Sequence, residues 1–222
     1  MRRFATACLG LVLLLGGACL SGCSSATIAL KEQFGYAKRE QLVTAVTDAR
    51  DSQEAAKKQF ASALDQFIAV TGAKGSELET KYRQLNSAYD KSKSKAQSVR
   101  GEIKNVDNVA QALFKEWRGE LSQYQNAGLR ASSEKQLADT QALYDRLLTS
   151  MKQAESKMDP VLAAFHDQVL FLKHNLNAQA IAGLQGNVAQ IQSDVTTLVR
   201  EMEASIAESN RFIEQMQDKA AG

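Results

Sequence analysis

The sequence predicts an all-α protein, folded as an elongated antiparallel helical bundle of coiled-coil type. Proline is nearly absent, since Pro160 is the only one, and aromatic residues make up 6% of the chain. Ala, Gln, Glu, Lys, Leu and Ser dominate, as they do in long helices. Apolar residues also recur with heptad spacing over most of the chain. Four long helices are favoured, and three helices with one very long member are the alternative.

The first helix is predicted to begin near Ile28 and to end at 71–75, where Gly72 and Gly75 suit a helix C-terminus. Its heptad positions form an apolar seam that is weakened by three alanines and a glutamine. The predicted seam residues are Leu42, Val46, Ala49, Gln53, Ala56, Phe60, Ala63, Phe67 and Val70.

The second helix is predicted to open with a capping box of Ser76 and Glu79 and to close at 126–128. Its length of roughly 50 residues corresponds to about 75 Å at the α-helical rise, so we expect an elongated molecule. The predicted seam residues are Leu78, Tyr82, Leu85, Tyr89, Ser92, Ala96, Val99, Ile103, Val106, Ala110, Leu113 and Trp117.

The third helix is predicted to begin near Ser132 or Ser133. Pro160 lies inside it and predicts a bend, or a break with Asp159 as a new N-cap, but no reversal of the chain. The predicted seam residues are Leu137, Gln141, Tyr144, Leu148, Met151, Glu155, Met158, Leu162, Phe165, Val169, Leu172 and Leu176.

The heptad phase then shifts by one residue. The shift favours a turn that returns the chain as a fourth helix, and a continuous helix with one skipped residue is the alternative. This last helix is predicted to run to Gln217, with 218–222 frayed. Its seam residues are Leu184, Val188, Ile191, Val195, Leu198 and Met202.

The N-terminal residues match a bacterial lipoprotein signal. Arg2 and Arg3 precede an apolar run at 9–15, and Leu20-Ser21-Gly22-Cys23 has the pattern of a lipobox. We therefore expect residues 1–22 to be removed, Cys23 to carry the lipid, 23–27 to form a tether and 28–217 to form the helical domain. The alternatives are an ordinary secretory signal, or a cut before Cys19, which would place Gly16 at the aliphatic position.

Lipid on Cys23, palmitate among the possible chains, would attach the protein to a bacterial envelope membrane, since two or more acyl chains anchor a protein stably. Ser24 resembles the outer-membrane sorting pattern, so the periplasmic face of the outer membrane is favoured in a Gram-negative host. Without residues 1–22 the chain has 25 basic and 25 acidic residues, because Arg2 and Arg3 are removed from the 27 basic residues. A neutral chain gives no reason to expect a nucleic-acid partner.

The sequence offers no constellation for catalysis or metal binding. A di-iron bundle needs Glu-x-x-His pairs, but Ala163 and Phe171 stand three residues before the two histidines, His166 and His174. There is also no His-Glu-x-x-His and no glycine-rich phosphate loop. We therefore expect no enzyme activity, no cofactor, no metal and no small-molecule substrate.

Two surface features have alternative interpretations. The basic residues Lys91, Lys93, Lys95, Arg100 and Lys104 suit an anionic lipid or glycan, but a solvated helix face is favoured.

The segment 165–181, FHDQVLFLKHNLNAQAI, is apolar on all sides at 169–172. It is predicted to be either a partner-binding or membrane-touching tip, or a buried helix end with Asn175 and Asn177 capping a turn. His174 is expected to be a capping or core residue. The candidate residues of this partner or turn segment are Phe171, Leu172, His174, Asn175 and Asn177.

The lipobox, the helical body and the stretches VLFLKHNLNAQAI and EMEASIAESNRFI resemble an uncharacterised bacterial family catalogued as domain of unknown function 2959. The resemblance implies an envelope lipoprotein without an assigned activity, so no functional residues are carried over from the family.

Three functions follow as hypotheses. The first is a non-enzymatic structural or scaffolding lipoprotein that contacts protein partners in the envelope, which the weak seam positions Gln53, Ser92 and Glu155 suggest. The second is a membrane-active helical protein resembling α-helical pore formers, which the apolar run 169–172 suggests. The third is a ligand-binding or metal-binding bundle.

Overall fold

The computed structural model describes residues 38–221, and the described part of the chain is almost entirely helical. A short 3-10 turn, Gly75–Glu77, lies between the first two helices. The helices are α1 Lys38–Thr71, α2 Leu78–Leu121, α3 Ala127–Ser156, α4 Met158–His174, α5 Ala178–Gln185 and α6 Val188–Ala221.

The helices form an antiparallel four-helix bundle. α1 packs between α2 and α6, and α3 followed by α4 fills the remaining position opposite α1. Arg39, near the start of α1, contacts Met216 near the end of α6, and Thr71, at the end of α1, contacts Gln185 just before α6. α1 and α6 therefore run in opposite directions. The predicted reversal before Leu184 is therefore confirmed, and the alternative of three helices is wrong.

Every predicted seam residue of α1 is buried, and Phe60 and Phe67 are completely enclosed. Phe67 meets Phe165 of α4 across the core in an edge-to-face contact, with ring centroids 6.4 Å apart. The predicted helix start at Ile28 lies outside the described residues.

The turn between α1 and α2 differs from the predicted capping box. Gly75 has a φ of +52°, a conformation that glycine adopts without the steric cost of a Cβ. Ser76 lies inside the 3-10 turn, and the N-cap residue of α2 is Glu77, which makes no capping hydrogen bond with its side chain. The capping box is wrong because the tight turn places Ser76 in helical geometry instead of the extended geometry of an N-cap.

α2 has 44 residues, about 66 Å at the α-helical rise, and it ends earlier than predicted. The residues expected to close it instead open α3, because the Asn126 side chain accepts hydrogen bonds from the backbone N–H groups of Gly128 and Leu129. α3 therefore begins at Ala127 rather than near Ser132. Most predicted α2 seam residues are buried, and Tyr82, Tyr89 and Trp117 are partly buried.

The predicted seam of α3 is wrong at three positions. Gln141, Leu148 and Glu155 are only half-buried. The residues one position earlier, Thr140, Leu147 and Ala154, lie in the core instead. The Thr140 hydroxyl donates to the Gln136 carbonyl at 2.7 Å, which satisfies the hydroxyl and allows it to be buried.

Pro160 marks a break without a reversal, as predicted. α3 ends at Ser156 and α4 begins at Met158, so Pro160 falls in the first turn of α4, where its missing N–H has no intrahelical partner to lose. Asp159 lies inside α4, so its prediction as an N-cap is wrong; Lys157 occupies that position. Arg100 of α2 pairs with Asp159 and with Glu155, one on each side of the break.

The corner after α4 consists of two short turns around α5. Leu172 is completely buried, whereas the predicted seam residue Leu176 is largely exposed. α6 then continues to Ala221, beyond the predicted end at Gln217, and its heptad residues Ile191, Val195, Leu198 and Met202 are buried as expected.

We predict that Phe67→Ala lowers the free energy of unfolding by about 3–5 kcal/mol, because it leaves a cavity in a packed core. The matched control is Phe171→Ala, which removes a phenylalanine that is 44% exposed and should cost less than about 1 kcal/mol. Urea unfolding followed by circular dichroism measures both values. Similar losses for the two variants would contradict the assignment of Phe67 to the core.

Candidate functional site

The bundle has two distinct ends. The proximal end holds the start of α1, which follows the N-terminal segment. The distal end holds the α1–α2 turn, the α4–α5 turn and α5. At the distal end, Ile68, Leu170, Phe171 and Leu176 are 40–49% exposed. Large exposed apolar side chains at one end of a molecule are a feature of contact surfaces.

The run 169–172 divides between the core and the surface. Val169 and Leu172 are buried, whereas Leu170 and Phe171 face outward. Phe171 also lies over α5, because a Cβ added at Gly183 would sit 3.8 Å from its ring. One side of the run therefore packs into the bundle end, as the second interpretation predicted, and the other side is exposed. Contact of this exposed side with a partner or a membrane stays a prediction.

The polar candidates of this segment hold the turn. The Asn175 amide donates to the Phe171 carbonyl at 2.9 Å, and the Asn177 side chain accepts from the Ala180 N–H at 2.9 Å as the N-cap of α5. Leu172 is a core residue and contributes no surface. His174 is exposed at the last position of α4, so its prediction as a core residue is wrong.

A pocket of about 480 Å³ lies at the distal end, between the α1–α2 turn, the α4–α5 turn and α5, and we call it the corner pocket. Sequence reasoning missed it, because its two walls come from segments about a hundred residues apart. Its lining residues are Thr71, Gly72, Ala73, Lys74, Gly75, Leu78, Leu176, Asn177, Ala178, Ile181 and Gln185.

A second depression, the polar groove, runs between α1 and α2 with a volume of about 620 Å³. Gln, Ser and Thr side chains line it together with Glu79, Arg83 and Lys91. Arg83 pairs with Glu79 at 2.6 Å within the groove, so Lys91 is its remaining cation. The lining of this open groove is mostly polar.

The predicted basic patch is a solvated face. Lys91, Lys93, Lys95 and Lys104 are exposed, and Arg100 is occupied by Glu155 and Asp159.

The weak seam positions are used inside the bundle. Gln53 is completely buried and accepts a hydrogen bond from the Ser205 hydroxyl of α6 at 3.0 Å. Ser92 is also buried; it donates to the Ala88 carbonyl of its own helix at 2.8 Å and accepts from the Gln59 amide of α1 at 3.4 Å. Glu155 lies 3.6 Å from Arg100. All three residues therefore contact a neighbouring helix of the same chain.

Within residues 38–218, no three His, Cys, Asp or Glu side chains are grouped as a metal site requires. None of the helices in the described range is long and apolar enough to cross a membrane. The lipobox and Cys23 lie outside the described residues.

Tyr144 has the largest shift in pKa among the described groups. Burial in the core raises the pKa of the Tyr144 hydroxyl well above its ordinary value. The carboxylate of Asp107, which accepts a hydrogen bond from this hydroxyl, raises the pKa further. Phe114 packs edge-to-face on the ring, with centroids 5.4 Å apart. Tyr144 thus joins α3 to α2 and has no opening to a ligand.

We predict that Tyr144→Phe reduces the loss of stability in alkali. The neutral phenol is favoured in the folded state, so its stabilising contribution is complete below about pH 10, the pKa in the unfolded chain, and is lost as the pH rises above it. At pH 8 the free energy of unfolding of the variant should be lower by about 1 kcal/mol, because the hydrogen bond to Asp107 is missing. From pH 10 to pH 11, however, its stability should fall less steeply than that of the wild type.

Urea unfolding at pH 8, 10 and 11 measures the effect. Tyr124→Phe, which removes an exposed phenol, is the matched control and should keep the wild-type slope. Equal slopes for Tyr144→Phe and the wild type would contradict the prediction.

A comparison with curated proteins finds no match. A protein-family model, described as "Protein of unknown function (DUF2959)", matches residues 28–216, which includes α1 to α5 in full and most of α6. The match begins ten positions before α1 and ends within α6. The chain therefore belongs to the DUF2959 family of proteins of unknown function.

Proposed function

We propose that this protein is a lipid-anchored protein of the bacterial envelope, with a non-enzymatic scaffolding role in the periplasm. Its bundle would hold a protein-contact surface at a set distance from the membrane. The observation that carries the proposal is the exposure of Leu170, Phe171 and Leu176, which follow one another closely at the end opposite the start of α1. α1 has 34 residues, which corresponds to about 50 Å between the two ends.

The anchor is supported by the residues before α1. The lipobox ends at Cys23, and fifteen positions separate Cys23 from the first residue of α1. Lipid at Cys23 would place the proximal end near the membrane, with the distal end pointing away from it or lying along it. Ser24 favours the outer membrane in a Gram-negative host.

The contact surface is supported by the exposure of Leu170, Phe171, Leu176 and Ile68. Exposed leucine and phenylalanine side chains gain free energy when a partner covers them, at about 25 cal/mol for each Å² buried. The seam polar residues do not contribute, since Gln53, Ser92 and Glu155 are engaged within the chain. We therefore assign the protein contact to the distal end instead of to the sides of the bundle.

The apolar pair Leu170 and Phe171 also favours a second candidate function, a membrane-active role in which the distal end touches lipid. Val169 and Leu172 limit this role, because releasing the whole run 169–172 would remove both from the core. We therefore place this candidate second.

The anchor predicts that Cys23→Ala abolishes membrane attachment. Wild-type protein should take up labelled fatty acid and sediment with the outer membrane, and the variant should do neither, because the lipid is bound through the Cys23 sulfur. Cys19→Ala is the control and should behave as wild type. Unlabelled, soluble wild-type protein would overturn the anchor.

The contact surface predicts crosslinks that depend on position. A photoreactive phenylalanine analogue replacing Phe171 or Leu176 should capture the same protein in living cells. The same analogue at Leu129, which is 60% exposed at the proximal end, is the control and should not capture it. Leu170→Glu should weaken capture from position 171, because it places a charge in an apolar contact.

The result separates the two candidates. Capture of a common protein from both distal positions supports the scaffold, whereas capture of lipid from both favours the membrane-active role. Equal capture from positions 171 and 129 would contradict a distal contact surface.

A further inference from the structure

The corner pocket has the size and lining of a small-molecule site. Its volume of about 480 Å³ falls within the range of roughly 300–1,000 Å³ that is usual for ligand pockets. Its walls come from two turns and a short helix, and Leu78 and Ile181 are buried beneath them. Leu176 lines the pocket and remains 41% exposed, so it stands where a ligand would cover it.

One charged residue lines this apolar pocket. Lys74 is exposed, and within the described residues it forms no ion pair, so its ammonium group is available at the opening. Lys173 and His174, in the last turn of α4, come in the sequence just before the wall formed by 176–185. They add to the basic character of this corner. Glu77 is the acidic residue of the α1–α2 turn, and it is exposed outside the pocket lining.

The lining of the corner pocket differs from that of the polar groove. The groove presents mostly amides and hydroxyls and less apolar surface than the corner pocket, so it gives a ligand a weaker hydrophobic driving force. The corner pocket is lined mainly by apolar surface, with Thr71, Asn177 and Gln185 as neutral polar residues and Lys74 as its one charged residue. A largely apolar pocket with a single charged group is complementary to a molecule with an apolar body and one group of opposite charge.

We propose that the corner pocket binds a single-chain anionic amphiphile of the fatty-acid type. The acyl chain lies against Leu78, Leu176 and Ile181, and the carboxylate pairs with Lys74. Burial of the chain supplies the driving force, and the ion pair orients the head group toward solvent. This site does not depend on the proposed scaffolding role, because it requires neither a protein partner nor lipid on Cys23.

The test uses the full-length protein in isolated membranes and a dodecanoic acid that carries a photoreactive diazirine on its chain. After irradiation, peptide mapping should place the label in 71–78 and 176–185, the two walls of the pocket. Unmodified dodecanoate should displace the label. Dodecyl maltoside, which has the same chain and a neutral head, should require a higher concentration to do so.

Three variants test the roles of individual residues. Leu176→Glu should reduce labelling of the pocket more than tenfold, because it removes apolar surface and repels the carboxylate. Lys74→Gln should reduce it about threefold, the effect expected of one exposed ion pair. Gly72→Leu should also reduce labelling, because Gly72 lines the pocket and a leucine side chain there would take up space that the ligand needs. The substitution should not disturb the fold, since a Cβ added at Gly72 meets no atom within 4 Å.

Matched variants away from the pocket are the controls. Leu129→Glu places the same charge on an exposed leucine at the proximal end, and Lys152→Gln removes an exposed lysine of α3. Both should keep wild-type labelling, and circular dichroism should show every variant to be folded.

Three results would overturn the proposal. Label spread evenly along the helices, or unchanged by Leu176→Glu, would show that the chain does not enter this pocket. Equal displacement by dodecanoate and dodecyl maltoside would show that no anionic head is recognised. Loss of protein crosslinks from position 171 would refute the scaffold alone and leave this result unaffected.

Discussion

The apolar seam of α1 is the surface on which the rest of the bundle is assembled. It contacts α2 along most of its length, and α6 and α5 also pack against it. Its small residues, Ala49, Ala56 and Ala63, allow neighbouring helices to approach closely, and Phe60 and Phe67 fill the space in the layers between them. Such alternation of small and large side chains gives a packed core without long aliphatic seams. A helix with this pattern depends on its partners for stability, because its own apolar surface is modest.

A buried hydrogen bond sets the register of α1 against α6. Gln53 accepts from the Ser205 hydroxyl, and both residues are completely enclosed. The Nε2 of Gln53 has no partner, so this position costs free energy compared with an apolar side chain. A displacement by one heptad would leave the Gln53 oxygen and the Ser205 hydroxyl both unpaired in the core, which costs more still. The pair therefore opposes alternative registers more than it stabilises the native one, as polar seam residues do in coiled coils.

The heptad pattern predicted the helices well where their seams are strongly apolar and poorly where they are mixed. In α1 every predicted residue is buried, and in α6 the predicted residues from Ile191 to Met202 are buried, although the pattern missed Ala45 in α1 and Ser205 and Phe212 in α6. In α3, the core residues Thr140 and Ala154 are only weakly hydrophobic, and Leu148 directly follows the core residue Leu147. The heptad pattern therefore assigned the neighbouring face of α3 to the core. Helix ends were less predictable, since Asn126 suits either the end of one helix or the N-cap of the next.

The candidate site could be predicted only in part. The run 169–172 is apolar at every position, so periodicity contained no information on which side faces the core. Only the packing of α4 against α2 and α6 shows that Leu170 and Phe171 are the outward pair. The corner pocket was beyond sequence reasoning for a different reason: Leu78 and Ile181 become neighbours only after α3 and α4 have returned the chain to the distal end and α5 has packed against α1.

The two ends of the bundle differ in how their exposed apolar residues are supported. At the proximal end, Tyr124 lies in the α2–α3 turn and Leu129 in the first turn of α3. At the distal end, Leu170 and Phe171 belong to a helix whose next turn, 175–177, is held by two asparagine side chains. Those capping hydrogen bonds fix the backbone beneath the exposed pair, so little conformational entropy remains to be lost when the pair is covered. An apolar corner held in this way is better suited to recognition than a loop of the same composition. Asn175 and Asn177 contribute to it by fixing the backbone, and Asn177 also lines the corner pocket.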